Sequence, residues 1–221
     1  MHEGRSALRP GRTTGRGLYL LTPDDTDTPR LLDRVTAVLG FASLLQYRNK
    51  LAGPALATEQ VGALLPLCRA HGVPLLVNDD WRLARATGAD GAHMGEDDGD
   101  LRAARAALEP TAIIGASCYD SLSRAEAAAR AGASYVAFGA CFPSPTKPNA
   151  RRATPELLGK ARTLGLPVVA IGGITPDNAR SVVEAGADLL AVISGVFDAP
   201  DPAAAAQAYL RAFEPTGTHP Q

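Results

Sequence analysis

"ATGADGAHMG" at 86–95, "RAGASYVAFG" at 130–139 and "EAGADLLAVI" at 184–193 are three versions of one phrase. Each reads as the last turn of a helix, a Gly-Ala turn and an apolar strand. A second pair, "AHGVPLLVND" at 70–79 and "TLGLPVVAIG" at 163–172, ends a helix on Gly and opens a strand with Pro. Gly suits the left-handed residue that closes a helix, and Pro is tolerated at the first position of a strand.

Working outward from these phrases gives a strict alternation. Apolar runs predict strands over 18–22, 43–47, 74–78, 91–94, 112–117, 135–142, 168–172 and 189–194. Helical patterns follow each, over 29–39, 58–70, 81–86, 101–108, 121–131, 155–164, 176–184 and 202–213. The strands lack polar alternation, as strands buried on both faces should. Thr154-Pro155, Thr175-Pro176 and Asp201-Pro202 each place a capping oxygen before a proline in the first turn. Eight strand–helix units predict an α/β fold, a (β/α)8 TIM barrel with a closed parallel sheet and helices outside. An open doubly wound sheet shares the alternation. The count of eight and the lack of a second domain or linker favour the barrel, over 17–213. Residues 1–16 read as a basic tail or a short capping helix, and 214–221 as a disordered tail.

The chain has 221 residues, 46% hydrophobic, enough for one domain with a substantial core. A net charge of −1 gives no general attraction to nucleic acid or membrane. The first 16 residues carry Arg5, Arg9, Arg12 and Arg16 without the apolar run of a secretory signal, and no segment has the length of a membrane span. Cys68, Cys118 and Cys141 are odd in number and lack zinc spacing, which points to unpaired thiols in a reducing cytoplasm.

In a barrel, chemistry belongs to the loops after the strands. Those positions hold Gln46, Arg48, Asn49 and Lys50; Asn78, Asp79 and Asp80; His93, Glu96, Asp97 and Asp98; Ser117; Ser144, Thr146 and Lys147; and the backbone of "IGGI" (171–174) and "ISG" (193–195). Each group alone has a plain explanation: a solvated loop, a helix cap, an acidic helix start, a core histidine, tight barrel packing. Their convergence on one rim favours a site. Carboxylates at Asp79 and Asp98 beside Arg48, Lys50 and Lys147 suit magnesium bridging to phosphate oxygens. Backbone amides near Gly172, Gly173, Ile193, Ser194 and Gly195 suit a second phosphate.

"GLYLLT", "QYRNK", "PLLVNDDWRLARATGADGAHMGEDD", "IIGAS", "YVAFGACFPSPTK" and "VVAIGGITPDN…AGADLLAVIS" together resemble the thiamine phosphate synthase family, in order and spacing from 17 to about 213. The resemblance implies a barrel transferase that joins hydroxymethylpyrimidine diphosphate to a thiazole phosphate, hydroxyethylthiazole phosphate or its carboxylated form, and releases pyrophosphate. It implies that Gln46, Arg48, Lys50, Asn78, Ser117 and Lys147 hold the pyrimidine diphosphate, with Asn49 in the same motif. Asp79 and Asp98 match magnesium ligands. Ser144, Thr146, Gly173, Ile193 and Ser194 match the thiazole phosphate site. Lys147, Arg48 and Lys50 would act catalytically through their charge. Asn49 stands where the family often has Glu, Glu96 where Gln is common, and Ser144 where Thr is common. The first two change the charge near the diphosphate in opposite directions. The partners implied are two phosphorylated small molecules, with no nucleic acid or membrane and with homo-oligomerisation left open. A thiazole tautomerase-like barrel needs less of a diphosphate and metal site. A non-catalytic phosphate-binding barrel needs no metal pair, and an aldolase or epimerase barrel would want a lysine or an acid–base pair deeper in the barrel.

Overall fold

The computed structural model describes residues 15–143 and 151–215. Eight parallel strands run in sequential order around a closed barrel: β1 (Gly17–Leu21), β2 (Ala42–Tyr47), β3 (Leu75–Asn78), β4 (Gly91–Met94), β5 (Ile113–Tyr119), β6 (Tyr135–Phe138), β7 (Val168–Ile171) and β8 (Leu189–Val192). β8 returns to pair with β1. The helices α1 (Thr28–Leu39), α2 (Pro54–His71), α3 (Trp81–Thr87), α4 (Leu101–Ala107), α5 (Leu122–Arg130), α6 (Pro155–Ala161), α7 (Pro176–Glu184), α8 (Ser194–Phe197) and α9 (Pro202–Leu210) lie between and after them.

The repeated phrase has a physical reason. Its glycines, Gly88, Gly132 and Gly186, take φ of 74°, 93° and 119°, which L side chains rarely adopt. The residue before each following strand then pins that strand to its predecessor. Asp90 N–H donates to Leu75 O (2.9 Å) while Leu75 N–H donates to the Asp90 carboxylate (2.8 Å). Ser134 and Ile114 exchange the same two bonds (2.7 and 3.0 Å), as do Asp188 and Val168 (2.8 and 2.9 Å). The phrase therefore satisfies backbone donors at the barrel base, where an orphaned amide would be costly.

The predicted caps form as expected. The Thr154 and Asp201 side chains accept from Leu157 N–H (3.3 Å) and Ala204 N–H (3.0 Å), and at Thr175 the backbone N–H donates to Asn178 Oδ1 (2.8 Å). Each such cap is worth about 1 kcal/mol.

Side chains alternate strictly across the sheet. Leu18, Leu20, Leu45, Leu75, Val77, Val136, Phe138, Val168, Leu190 and Val192 point outward and pack under the helices. Leu31, Val35, Val38 and Leu39 of α1 are fully buried in that layer, each contributing on the order of 1.5–3 kcal/mol. Tyr19, Leu21, Leu44, Leu76, Ile113, Tyr135, Ala137, Val169, Leu189 and Ala191 fill the interior. The same parity turns Gln46, Asn78, His93 and Ser117 inward at the C-terminal ends of β2 to β5. The barrel is apolar through its middle and polar at one mouth.

The structure departs from the sequence reading at several ends. α2 starts at Pro54, four residues before the predicted 58, because Pro at the first turn needs no donor. β6 stops at Phe138 rather than 142. Beyond it, Ala140 exchanges hydrogen bonds with the returning chain, Ala140 N–H to Arg151 O (2.8 Å) and Ala153 N–H to Ala140 O (3.1 Å). β5 runs on to Tyr119. The strand predicted to 194 ends at Val192, and the four-residue α8 follows, too short to show a helical period. The predicted helices ending at 164 and 213 finish as 3-10 turns over Arg162–Leu164 and Arg211–Phe213. Among the described residues no helix is long and apolar enough to cross a membrane. Cys68, Cys118 and Cys141 are free thiols.

Candidate active site

The mouth is built strand by strand. After β1, the Thr22 hydroxyl donates to Arg48 O and accepts from Arg48 N–H, both at 2.8 Å, which locks the β1 and β2 loops together. Asp24 takes the Lys50 N–H (2.7 Å) and lies 3.5 Å from the Arg48 guanidinium. These bonds bring Arg48 and Lys50 to the rim. Asn49 is used differently. Its amide donates to Asp25 O (2.5 Å) and Gln60 Oε1 (2.9 Å), and its oxygen accepts Leu51 N–H (3.0 Å). The side chain grouped by sequence with the pyrimidine diphosphate is thus committed to shaping its own loop.

After β3 the three polar residues divide their roles. Asp80 caps α3, accepting from Arg82 and Leu83 N–H (2.9 Å each). Asp79 adopts φ +63°, uncommon for a residue with a side chain. Its N–H donates to His93 O (2.8 Å), and its carboxyl meets Asp98 from the β4 loop. Asp98 is held by Gly95 N–H (2.6 Å), where a Cβ would collide with the same carboxylate oxygen. Asp79 reaches solvent as a residue, yet its carboxyl is shielded at the rim. That shielding, then the Asp98 carboxylate, push its pKa up to about 6, against a hydrogen bond from Asn78 and the charge of Arg48. Among the described residues no third His, Cys, Asp or Glu completes a cluster. Two facing carboxylates are nevertheless a fitting donor set for magnesium, which commonly takes one or two carboxylates plus water and substrate phosphates. A bound cation would offset the Asp98 charge that adds to this shielding.

Glu96 was expected to add negative charge near the diphosphate. Instead it pairs with Arg124 and with Arg151 (3.2 Å), and both guanidiniums lie over the Tyr119 ring. Two cations offset one carboxylate there, so the site does not face an uncompensated charge.

Deeper in the mouth lies a buried polar chain. Gln46 Nε2 donates to the Tyr19 hydroxyl (2.5 Å). The Tyr19 and Tyr135 hydroxyls are 2.7 Å apart. Tyr135 meets His93 Nδ1 (2.8 Å), and His93 Nε2 meets Ser117 Oγ (2.8 Å). Burial depresses His93 to about 4, so it is a neutral imidazole, and burial raises both tyrosines. Gln46 Oε1 is buried without a partner among the described residues. Leaving such an acceptor bare costs about 1–3 kcal/mol, so it suits a ligand's donor. Taken alone His93 reads as a core histidine, and its ring is indeed satisfied at both nitrogens, while its place on the rim puts it in the polar chain of the mouth. Tyr19 and Tyr135 were not singled out, although each is the polar-tipped residue of an otherwise apolar run.

Because the folded His93 pKa lies below the unfolded value near 6.5, stability is full above pH 6.5 and falls as pH drops toward 4, by about 3 kcal/mol. Chemical denaturation between pH 7 and 4 should show this slope, and His93→Asn should flatten it. An equal slope in the variant would assign the loss to other groups.

On the opposite arc, Gly172 and Gly173 take φ of 96° and 66°. A Cβ on Gly173 would lie 2.7 Å from Phe142 O and 2.8 Å from Pro143 O, so the turn fits tightly beneath the start of the β6 loop. Ile193 precedes α8, leaving the Ser194 and Gly195 amides in a first turn without intrahelical acceptors. Ser144, Thr146 and Lys147 lie outside the described residues. Arg48, Asn78, Asp79, His93, Asp98 and Ser117 are brought together, while Gly173, Ile193 and Ser194 form a separate arc across the mouth.

The family model for thiamine monophosphate synthase matches residues 18–196. The chain belongs to the thiamine monophosphate synthase family. It is 58% identical over 204 residues to the thiamine-phosphate synthase of Xanthomonas campestris pv. campestris, covering 92% of this chain and 99% of that protein. It is 57% identical over 199 residues to that of Methylobacillus flagellatus, covering 90% and 95%. The solved structure of thiamine phosphate pyrophosphorylase from Pyrococcus furiosus superposes with a TM-score of 0.79 at 33% identity, over 90% of this chain and 96% of that one. The family match spans both arcs of the mouth, from Gln46 to Ser194.

Proposed function

We infer that the protein joins hydroxymethylpyrimidine diphosphate to a thiazole phosphate, giving thiamine phosphate and pyrophosphate. The observation that carries this reading is the match to thiamine-phosphate synthases over nine-tenths of the chain, combined with two phosphate-suited arcs at one mouth.

The carbon–oxygen bond to the diphosphate breaks, and its electron pair leaves with pyrophosphate. The electron-rich aminopyrimidine supports the positive charge left on its methylene carbon. The thiazole nitrogen lone pair then forms the new carbon–nitrogen bond, so no general base is required. Magnesium, held by Asp79 and Asp98, would supply neutralisation of the charge gathering on the departing oxygens. Arg48, Lys50 and Lys147 would share that charge, with Asn78 and Ser117 donating hydrogen bonds. Gln46 Oε1 would accept from the amino group of the pyrimidine, which answers its lack of a partner in the folded chain. The amides at Gly173, Ile193 and Ser194, with Ser144 and Thr146, would hold the thiazole phosphate. The three free thiols suit a cytoplasmic enzyme.

The test is to mix both phosphorylated substrates with magnesium and the protein. Thiamine phosphate and pyrophosphate should appear in equal amounts. Pyrophosphate without thiamine phosphate, or neither product, would overturn the reading.

A further inference from the structure

The buried chain from Gln46 to Ser117 has an internal direction. Each hydroxyl has one proton and two partners, and neutral His93 has one N–H for two bonds. The protons of Tyr19, Tyr135 and His93 must therefore all point the same way around the barrel. In one setting the Gln46 amide nitrogen donates to Tyr19, Tyr19 to Tyr135, Tyr135 to His93 Nδ1, and His93 Nε2–H to Ser117. The Ser117 hydroxyl must then donate outward, and Gln46 Oε1 is left as an open acceptor. In the reverse setting Gln46 offers an N–H outward, and Ser117 spends its proton on His93. The structure holds Gln46 with Nε2 on Tyr19 and Oε1 unpartnered, which is the first setting.

We propose that Gln46, Tyr19, Tyr135, His93 and Ser117 form a hydrogen-bond relay whose polarity couples recognition of an amino group at β2 to recognition of a phosphate at β5. A ligand that donates at Gln46 and accepts at Ser117 fits one setting of the relay at both ends. A ligand with the opposite pattern fits neither end of that setting. This rests on the function inferred above, whose pyrimidine diphosphate carries an amino donor at one end and phosphate acceptors at the other. Tyr19 and Tyr135 are positioning residues. They touch no phosphate themselves, and they fix which way Gln46 and Ser117 present their protons. The geometry supports a rigid relay: the Tyr19 and Tyr135 rings meet edge to face at 5.8 Å, and the His93 ring stacks on Tyr135 at 5.7 Å. Both tyrosines are buried, so water does not compete for their protons.

The tautomer of His93 reports the polarity directly. In ligand-free protein labelled with 15N-histidine, long-range nitrogen–proton correlation should show His93 protonated at Nε2, with the signal assigned by its loss in His93→Asn. Gln46→Glu, examined at about pH 9 so that the new carboxylate can only accept from Tyr19, should reverse the relay and move the proton to Nδ1. Adding Tyr135→Phe, or Tyr19→Phe if the first fails to fold, should cut the relay and abolish the response to Gln46→Glu. An unchanged tautomer in Gln46→Glu, or one that still switches across the cut, overturns the proposal.

A binding cycle tests the consequence. The effects of Gln46→Leu and Ser117→Ala on affinity for hydroxymethylpyrimidine diphosphate should be non-additive by about fivefold or more, and additive once Tyr135→Phe is present. Non-additivity that survives Tyr135→Phe overturns the coupling. If the diphosphate does not bind at all, the inferred function fails while the tautomer measurement still decides the relay.

Discussion

Asp79→Asn should lower thiamine phosphate formation by about a hundredfold or more while leaving the protein at least as stable. The expected loss follows from removing one charge that organises stabilisation of the leaving pyrophosphate, worth roughly 3 kcal/mol in such sites. The stability expectation follows from the carboxylate's position. Asp79 is shielded at the rim and faces Asp98, and its pKa is raised to about 6. A carboxyl raised in the folded state binds more protons there than when unfolded. Its contribution to stability therefore falls as pH rises from about 4 through 6. Asparagine keeps the shape, tolerates φ +63° and removes the repulsion. Thermal melts should show the variant gaining on the natural protein at pH 8 relative to pH 4. Magnesium should raise the melting temperature of the natural protein at pH 8 and have little effect on the variant. Near-normal turnover, or the same magnesium response, would remove Asp79 from the site.

This opposition between stability and turnover explains why part of the site could be read from sequence. Charges that repel one another at strand ends have no packing purpose, so Asp79, Asp98, Arg48 and Lys50 stand out against the apolar strands that precede them. The barrel was legible for a related reason. The phrases Gly-Ala-Asp, Gly-Ala-Ser and Gly-Ala-Asp that tie β4, β6 and β8 to their neighbours at the base repeat because the same two hydrogen bonds must be made three times.

What sequence could not deliver depended on three-dimensional register. Asp80 rather than Asp79 caps α3, with Asp79 at φ +63°, and no local pattern distinguishes the two aspartates. Asn49 and Glu96 stand within charged motifs, but their partners, Gln60, Arg124 and Arg151, are 11, 28 and 55 residues away. The Tyr19–Tyr135 contact joins residues 116 apart across the barrel interior, and no local period reveals it. A clue did exist in the glycine of "IIGAS". Gly115 faces inward between Ile113 and Ser117, where every other strand places a side chain or an end. Its vacancy is the space through which the Tyr135 ring reaches the relay.

Gly115→Ala should therefore disable the protein twice over. A Cβ there would sit 2.0 Å from Tyr135 Cζ and 2.1 Å from its hydroxyl oxygen, far inside contact distance. The ring is fully buried and its hydroxyl is bonded to Tyr19 and His93, so it has no free direction in which to yield. Overpacking of this kind costs about 1–3 kcal/mol or more. In a domain of this size that lowers the melting temperature by roughly 2–12 °C. Displacing the phenol also breaks the relay, so thiamine phosphate formation should fall further than the loss of folded protein explains. The two effects separate in the double variant Gly115→Ala, Tyr135→Leu. Leucine removes the atoms that collide, so the melting temperature should recover most of the loss. The hydroxyl remains absent, so catalysis should stay low. Recovery of both would mean that Tyr135 serves packing alone. Recovery of neither would mean that Gly115 is required by the strand rather than by the ring beside it.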